Sequence, residues 1–120
     1  MELKSFLQQL QTNPTSVEFA QSIAVIEANY SFTPTAFSNG TMRNPQGENN
    51  GSCKILAFAL QHQLSEEQTL AMFGEFYRVD VLGNPDGHDH QNIRNFIAHG
   101  WQGVKFEGKA LEGIEVLDKA

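Results

Sequence analysis

An α+β domain is what this 120-residue sequence predicts. Three observations point there. Several segments repeat apolar residues at helical spacing, two short segments alternate aromatic or β-branched residues, and 40% hydrophobic residues is enough for one core. Area scaling lets a chain of this size bury about two-thirds of its unfolded surface, without a metal or disulfide staple. The reading is therefore a single domain over 1–120, with four to five helices packed on a small, mostly antiparallel sheet.

The elements follow in order. Leu3, Phe6, Leu7 and Leu10 keep the i, i+3, i+4, i+7 pattern of a helix, and Asn13-Pro14 stops it. Thr15 and Glu18 have capping-box spacing, which predicts a second helix carrying Val17, Phe19, Ala20, Ile23, Ala24 and Ile26 to about Asn29. Tyr30–Phe37 (YSFTPTAF) reads as a strand that Pro34 confines to a sheet edge. Ser38–Ser52 holds almost no core-forming residue and four turn signals, Asn39-Gly40, Asn44-Pro45, Gln46-Gly47 and Asn50-Gly51. It reads as a long loop, and such loops are usually functional or mobile.

Cys53–Leu60 (CKILAFAL) is apolar nearly all round and predicts a buried central helix. Ser65 and Gln68 form another capping box, with Leu70, Phe73 and Tyr77 marking the face of the next helix. Tyr77–Leu82 fits a helical extension or a strand. Gly83–Gly87 is a turn, after which Asp89 can cap a helix facing the core with Ile93, Phe96 and Ile97 and ending at Gly100. Val104 and Phe106 alternate as a short strand able to pair with Tyr30–Phe37. The tail mixes Leu111, Ile114, Val116 and Leu117 with charges.

Eight basic against fourteen acidic residues give a net charge of −6, which argues against a nucleic-acid backbone binder. No run is long enough for a membrane span. The first residues lack a basic head and cleavage site, so the expected location is the cytoplasm. One cysteine excludes an internal disulfide and suits a reducing compartment. A monomer or weak dimer is expected.

Two segments carry candidate chemistry. Cys53 follows the Glu48–Ser52 turn and falls in the first turn of its helix, where free N–H groups, the dipole and Lys54 favour a thiolate. A buried cysteine filling the core is the commoner use of such a residue. The second segment is Asp86-Gly87-His88-Asp89-His90, with Asp80 before it and His99 after. It offers His90 as a base and Asp80 or Asp89 as its orienter. His88 and His90 stand only two apart and match no metal-ligand pattern, so no metal and no cofactor are expected. Asn50, Gly51, Ser52, Lys54, Arg94 and Trp101 complete the candidates, as binding residues. Two function classes follow. One is a protein that binds a partner through the 38–52 loop, and the other is a hydrolase or transferase using Cys53 with His90 and Asp80 or Asp89.

YSFTPTAFSNG (Tyr30–Gly40), NNGSCKILAFA (Asn49–Ala59), YRVDVLGNPDGHDHQNIRNF (Tyr77–Phe96) and HGWQGVKFEG (His99–Gly108) together resemble the HopJ family. These are small bacterial proteins named for a type III secretion effector of plant pathogens. The resemblance runs from about Leu3 to about Leu111. It implies an effector-like or adaptor role, with secretion by a type III system as a second location, although similar proteins occur in bacteria that inject no host. It brings no established activity, cofactor or catalytic residue. The shared segments include Gly51, Ser52, Cys53, Lys54, Asp80, Asp89, His90, Asn92, Arg94, Gly100 and Trp101.

Overall fold

The computed structural model describes residues 2–113. Five α-helices lie among them: α1 (Leu3–Thr12), α2 (Phe19–Asn29), α3 (Asn50–Gln61), α4 (Glu66–Met72) and α5 (Gln91–His99). A π-helix, Phe76–Val81, follows α4. The strands are β1 (Tyr30–Phe32), β2 (Phe37–Asn39), β3 (Met42–Asn44), β4 (Val104–Phe106) and β5 (Leu111–Gly113). They form two antiparallel sheets, one pairing β1 with β5 and one ordered β3-β2-β4. The α+β class holds. Ile114, Val116 and Leu117 lie outside the described residues.

α3 runs through the centre, with Cys53, Ile55, Leu56, Ala57, Phe58 and Ala59 all buried. Phe6 and Leu10 of α1, Val25 and Ile26 of α2, Leu70 and Met72 of α4, and Ile93 and Phe96 of α5 complete the core around it. Phe6 and Tyr30 each meet the Phe58 ring edge-on, an arrangement that suits aromatic quadrupoles.

Some local predictions change in the folded chain. The predicted Tyr30–Phe37 strand is two strands in two sheets. Pro34 has no N–H to give to a ladder, and the Thr33–Ala36 stretch carries the chain across, so Tyr30 pairs with Gly113 while Phe37 pairs with Phe106. The predicted 38–52 loop is the β2–β3 hairpin, a short turn and the first turn of α3. Gly40, at φ +62°, lets the hairpin turn tightly against the His99 and Asn95 side chains.

Thr15 does not cap α2. Pro14–Ser16 forms a 3-10 turn, Glu18 is the N-cap, and Glu75 accepts the Phe19 N–H at 3.1 Å from across the fold. The Ser65–Gln68 box at the start of α4 is formed in both directions. α4 stops at Gly74 (φ +61°), where the backbone lies against Phe19 and Glu18. The Tyr77–Leu82 stretch is then neither α-helix nor strand. Leu82 N–H bonds back to Tyr77 O, five residues earlier. Ile97, read as core-facing, is 46% exposed on the outer side of α5. Gly100, at φ +64°, ends α5 as expected.

Candidate functional site

Two helices begin beside each other at a cleft of about 460 Å³. α3 contributes Asn49, Gly51 and Ser52, and α5 contributes His90, Gln91, Asn92 and Ile93. Phe19, Phe73, Phe76 and Met42 supply the apolar surface. The N-cap residues Asn49 and His90 both adopt left-handed backbone, at φ 55° and 50°, and neither helix start has a side-chain cap. Asp89 is therefore not the N-cap of α5; His90 holds that place. The first N–H groups of each helix have no intrahelical acceptor, so the polar edge of the cleft is rich in donors.

A cluster of asparagines locks this edge to the hairpin. Asn39, Asn44 and Asn92 are buried. Asn44 and Asn92 donate to each other's side-chain carbonyls at 3.1 and 3.0 Å. Asn39 Nδ2 donates to the Asn92 backbone carbonyl (2.7 Å) and to Asn92 Oδ1 (3.0 Å). Asn49 Nδ2 donates to Asn44 Oδ1 at 2.7 Å. One network thus fixes β2, β3 and the starts of α3 and α5 relative to one another. Sequence reading missed Asn39 and Asn44 because asparagine before glycine or proline looks like a turn residue whether or not it is buried.

His90 and Asp80 come together. His90 Nε2 lies 2.9 Å from Asp80 Oδ2 and 3.9 Å from Asp89 Oδ2, and its ring stacks on Phe76 with centroids 5.0 Å apart. Arg94 Nη2 pairs with Asp89 Oδ1 at 2.5 Å, and the same guanidinium donates to the carbonyls of Asp89, Asn84 and Pro85. That hydrogen bond from Arg94 holds the Asp89 carboxyl below its ordinary 3.8. Asp80, Asp89 and His90 are the group whose geometry can hold a metal ion among the described residues.

The other candidates lie elsewhere. Cys53 is buried in the core, its Sγ directed to Thr35 O at 3.9 Å, and no hydrogen bond joins it to a histidine among the described residues. Burial pushes its pKa above the ordinary value, outweighing the lowering effects of the Thr35 bond and Lys54. A helix start alone does not make a thiolate when the sulfur faces an apolar interior. Lys54 pairs with Glu27 at 3.0 Å and lies over the Phe32 ring. Trp101 donates Nε1–H to Leu64 O at 3.0 Å and packs edge-on to Phe96. Asn50 is exposed in the first turn of α3. Of the predicted binding residues, Gly51 and Ser52 line the cleft.

A small α+β protein whose central helix begins at an open, donor-edged cleft is the class that fold and site define. The family model described as HopJ type III effector protein matches residues 3–111, and the chain belongs to the HopJ family. The crystal structure of unknown function protein VPA0580 is similar, with 55% identity, 95% of each chain covered and a TM-score of 0.94. No curated protein matches the chain. No helix among the described residues is long and apolar enough to cross a membrane.

Proposed function

We propose that this HopJ-family protein is a recognition module that holds a partner protein in the cleft between the starts of α3 and α5. The observation that carries the reading is the division of labour within one turn of α3. Cys53 is shut into the core, while Gly51 and Ser52 beside it open onto the cleft. A binding site needs a firm frame, which the asparagine network supplies. It also needs unspent donors and an apolar contact, which the two helix starts and the Phe19–Phe76 pair offer. The bound segment is expected to present backbone carbonyl acceptors to the helix starts and an apolar side chain to Phe19 and Phe76.

The competing reading is a hydrolase or transferase with Cys53 as nucleophile. The His90–Asp80 pair favours it, since base and orienter are within hydrogen-bond distance. The burial of the thiol and its raised pKa weigh against it. The reading places the protein in the bacterial cytoplasm, and the family description adds type III secretion as a route out of the cell.

A photo-crosslinking residue at position 52, compared with one at Gln8 on α1, tests the proposal in cells of the source bacterium. A discrete adduct from position 52 that is absent from position 8, and lost when Phe76 is changed to Ser, supports recognition at the cleft. Equal adducts from both positions refute it. Alkylation of Cys53 separates the enzyme reading: reaction faster in the folded than in the denatured protein near neutral pH would move the thiol reading ahead.

A further inference from the structure

We propose that Asp80, Asp89 and His90 bind one divalent first-row transition cation beside the cleft. The site stands on its own geometry and does not depend on what the cleft holds.

The three donor atoms, His90 Nε2 and one carboxylate oxygen from each aspartate, lie within 4.8 Å of one another. Two of the separations are 2.9 and 3.9 Å. Metal–ligand bonds of about 2.0–2.2 Å put neighbouring donors about 3.0 Å apart at right angles and about 3.4 Å apart at a tetrahedral angle. The observed separations bracket both values, so small side-chain rotations would bring the set to either geometry.

Two of the three donors are held by contacts outside the set. The π-helix carries Asp80, and stacking on Phe76 fixes the plane of the His90 ring. Arg94 takes Asp89 Oδ1, leaving Oδ2 on the His90 side. Such outer contacts are what orient metal ligands in built sites. The imidazole separates this group from an acidic patch. One nitrogen with two carboxylates suits zinc, manganese or iron, whereas an all-oxygen set would suit magnesium or calcium. The side chains of His90, Asp80 and Asp89 are 28%, 42% and 52% exposed. Three protein donors therefore leave coordination positions for water, or for a ligand group reaching out of the cleft that His90 also lines.

The test is calorimetric titration of the full chain with Zn²⁺, alongside Mn²⁺-induced broadening of amide resonances. The expected result is one saturable equivalent of Zn²⁺, with broadening centred on residues 80 and 88–91. H90N removes the imidazole while keeping a residue that tolerates left-handed backbone, and D80N leaves the α5 start untouched. Each should weaken binding at least about tenfold. C53A and H99A should bind as the parent does. The proposal is overturned if no 1:1 saturation occurs. It also falls if H90N and D80N bind like the parent, or if H88A alone abolishes binding while H90N does not.

Discussion

Asn92→Ala strikes the joint on which the cleft depends. The Asn92 side chain accepts from Asn39 and Asn44 and donates to Asn44 Oδ1, so truncation removes three hydrogen bonds from a buried place. Each is worth about 1 kcal/mol net, which gives a loss of about 3 kcal/mol. Asn39 Nδ2 keeps the Asn92 carbonyl, Asn44 Nδ2 keeps Phe37 O at 3.4 Å and Asn44 Oδ1 keeps Asn49, so no partner of Asn92 is left without any bond. Against a total stability of roughly 5–15 kcal/mol, the protein should still fold. Its melting temperature should drop on the order of 15 °C. The sharper quantity is the coupling between positions 44 and 92, because only two of the bonds are shared by the pair. A double-mutant cycle of N44A and N92A, read by urea denaturation, should give about 2 kcal/mol of interaction energy. A coupling below about 0.5 kcal/mol would mean the reciprocal amide pair is not what holds hairpin to helix, and the account of the cleft's frame would fail.

Three further outcomes are expected. Burial raises the Cys53 pKa above 9.0, so the contribution of the neutral thiol is fully present below that value and is lost as pH rises towards the folded pKa; C53V should flatten the alkaline decline of stability measured by urea titration. His62, hydrogen-bonded to Tyr30 and packed at a tilt against Phe58, has its pKa lowered below 6.5 by burial. Its contribution is therefore present above pH 6.5 and shrinks as pH falls, and H62Q should melt with less dependence on pH between 6.5 and 5 than the parent. G74A should cost at least about 2 kcal/mol, because the residue has φ +61° and its new methyl would meet the backbone of Phe19 and Glu18. G47A, at φ +89° in open space, should cost only the conformational part, and equal losses at the two positions in thermal melts would contradict the close approach at Gly74.

Where local signals agreed with burial, the sequence was easy to read. The Ser65–Gln68 box, the apolar run of α3 and the Gly100 stop each depend on near neighbours, and each formed as read. Long-range partners decided the rest. Glu75 satisfies the start of α2 from more than fifty residues away, and Arg94 draws Asp89 off the helix start it was expected to cap. Alternation in Tyr30–Phe37 could not show that the two ends serve different sheets. The site divides along the same line. The chemistry of the 80–90 segment was visible from its residue types, and so was the interest of Gly51 and Ser52. The asparagine network was not, since nothing local tells a buried amide from a turn amide. The burial of Cys53, by contrast, was the commoner expectation for a cysteine in so apolar a run, and the folded chain buries it.

The π-helix has one consequence for how this chain can change in length. A π-turn amounts to an α-helix with a residue inserted, here within Phe76–Val81. Deleting one residue there would let the stretch relax to α-helical winding without breaking it. Because the wider π-turn already absorbs the extra residue, the segments on either side would keep nearly the phase they have now. Phe76 and Asp80 meet His90 from the two ends of this stretch, one by its ring and the other by its carboxylate. A relative could therefore lose one residue between Phe76 and Asp80 and still present a ring and a carboxylate on the same face to one imidazole. The π-turn is therefore a place where the chain can gain or lose a residue locally, with the change in length taken up in the width of one turn and not passed on to the cleft.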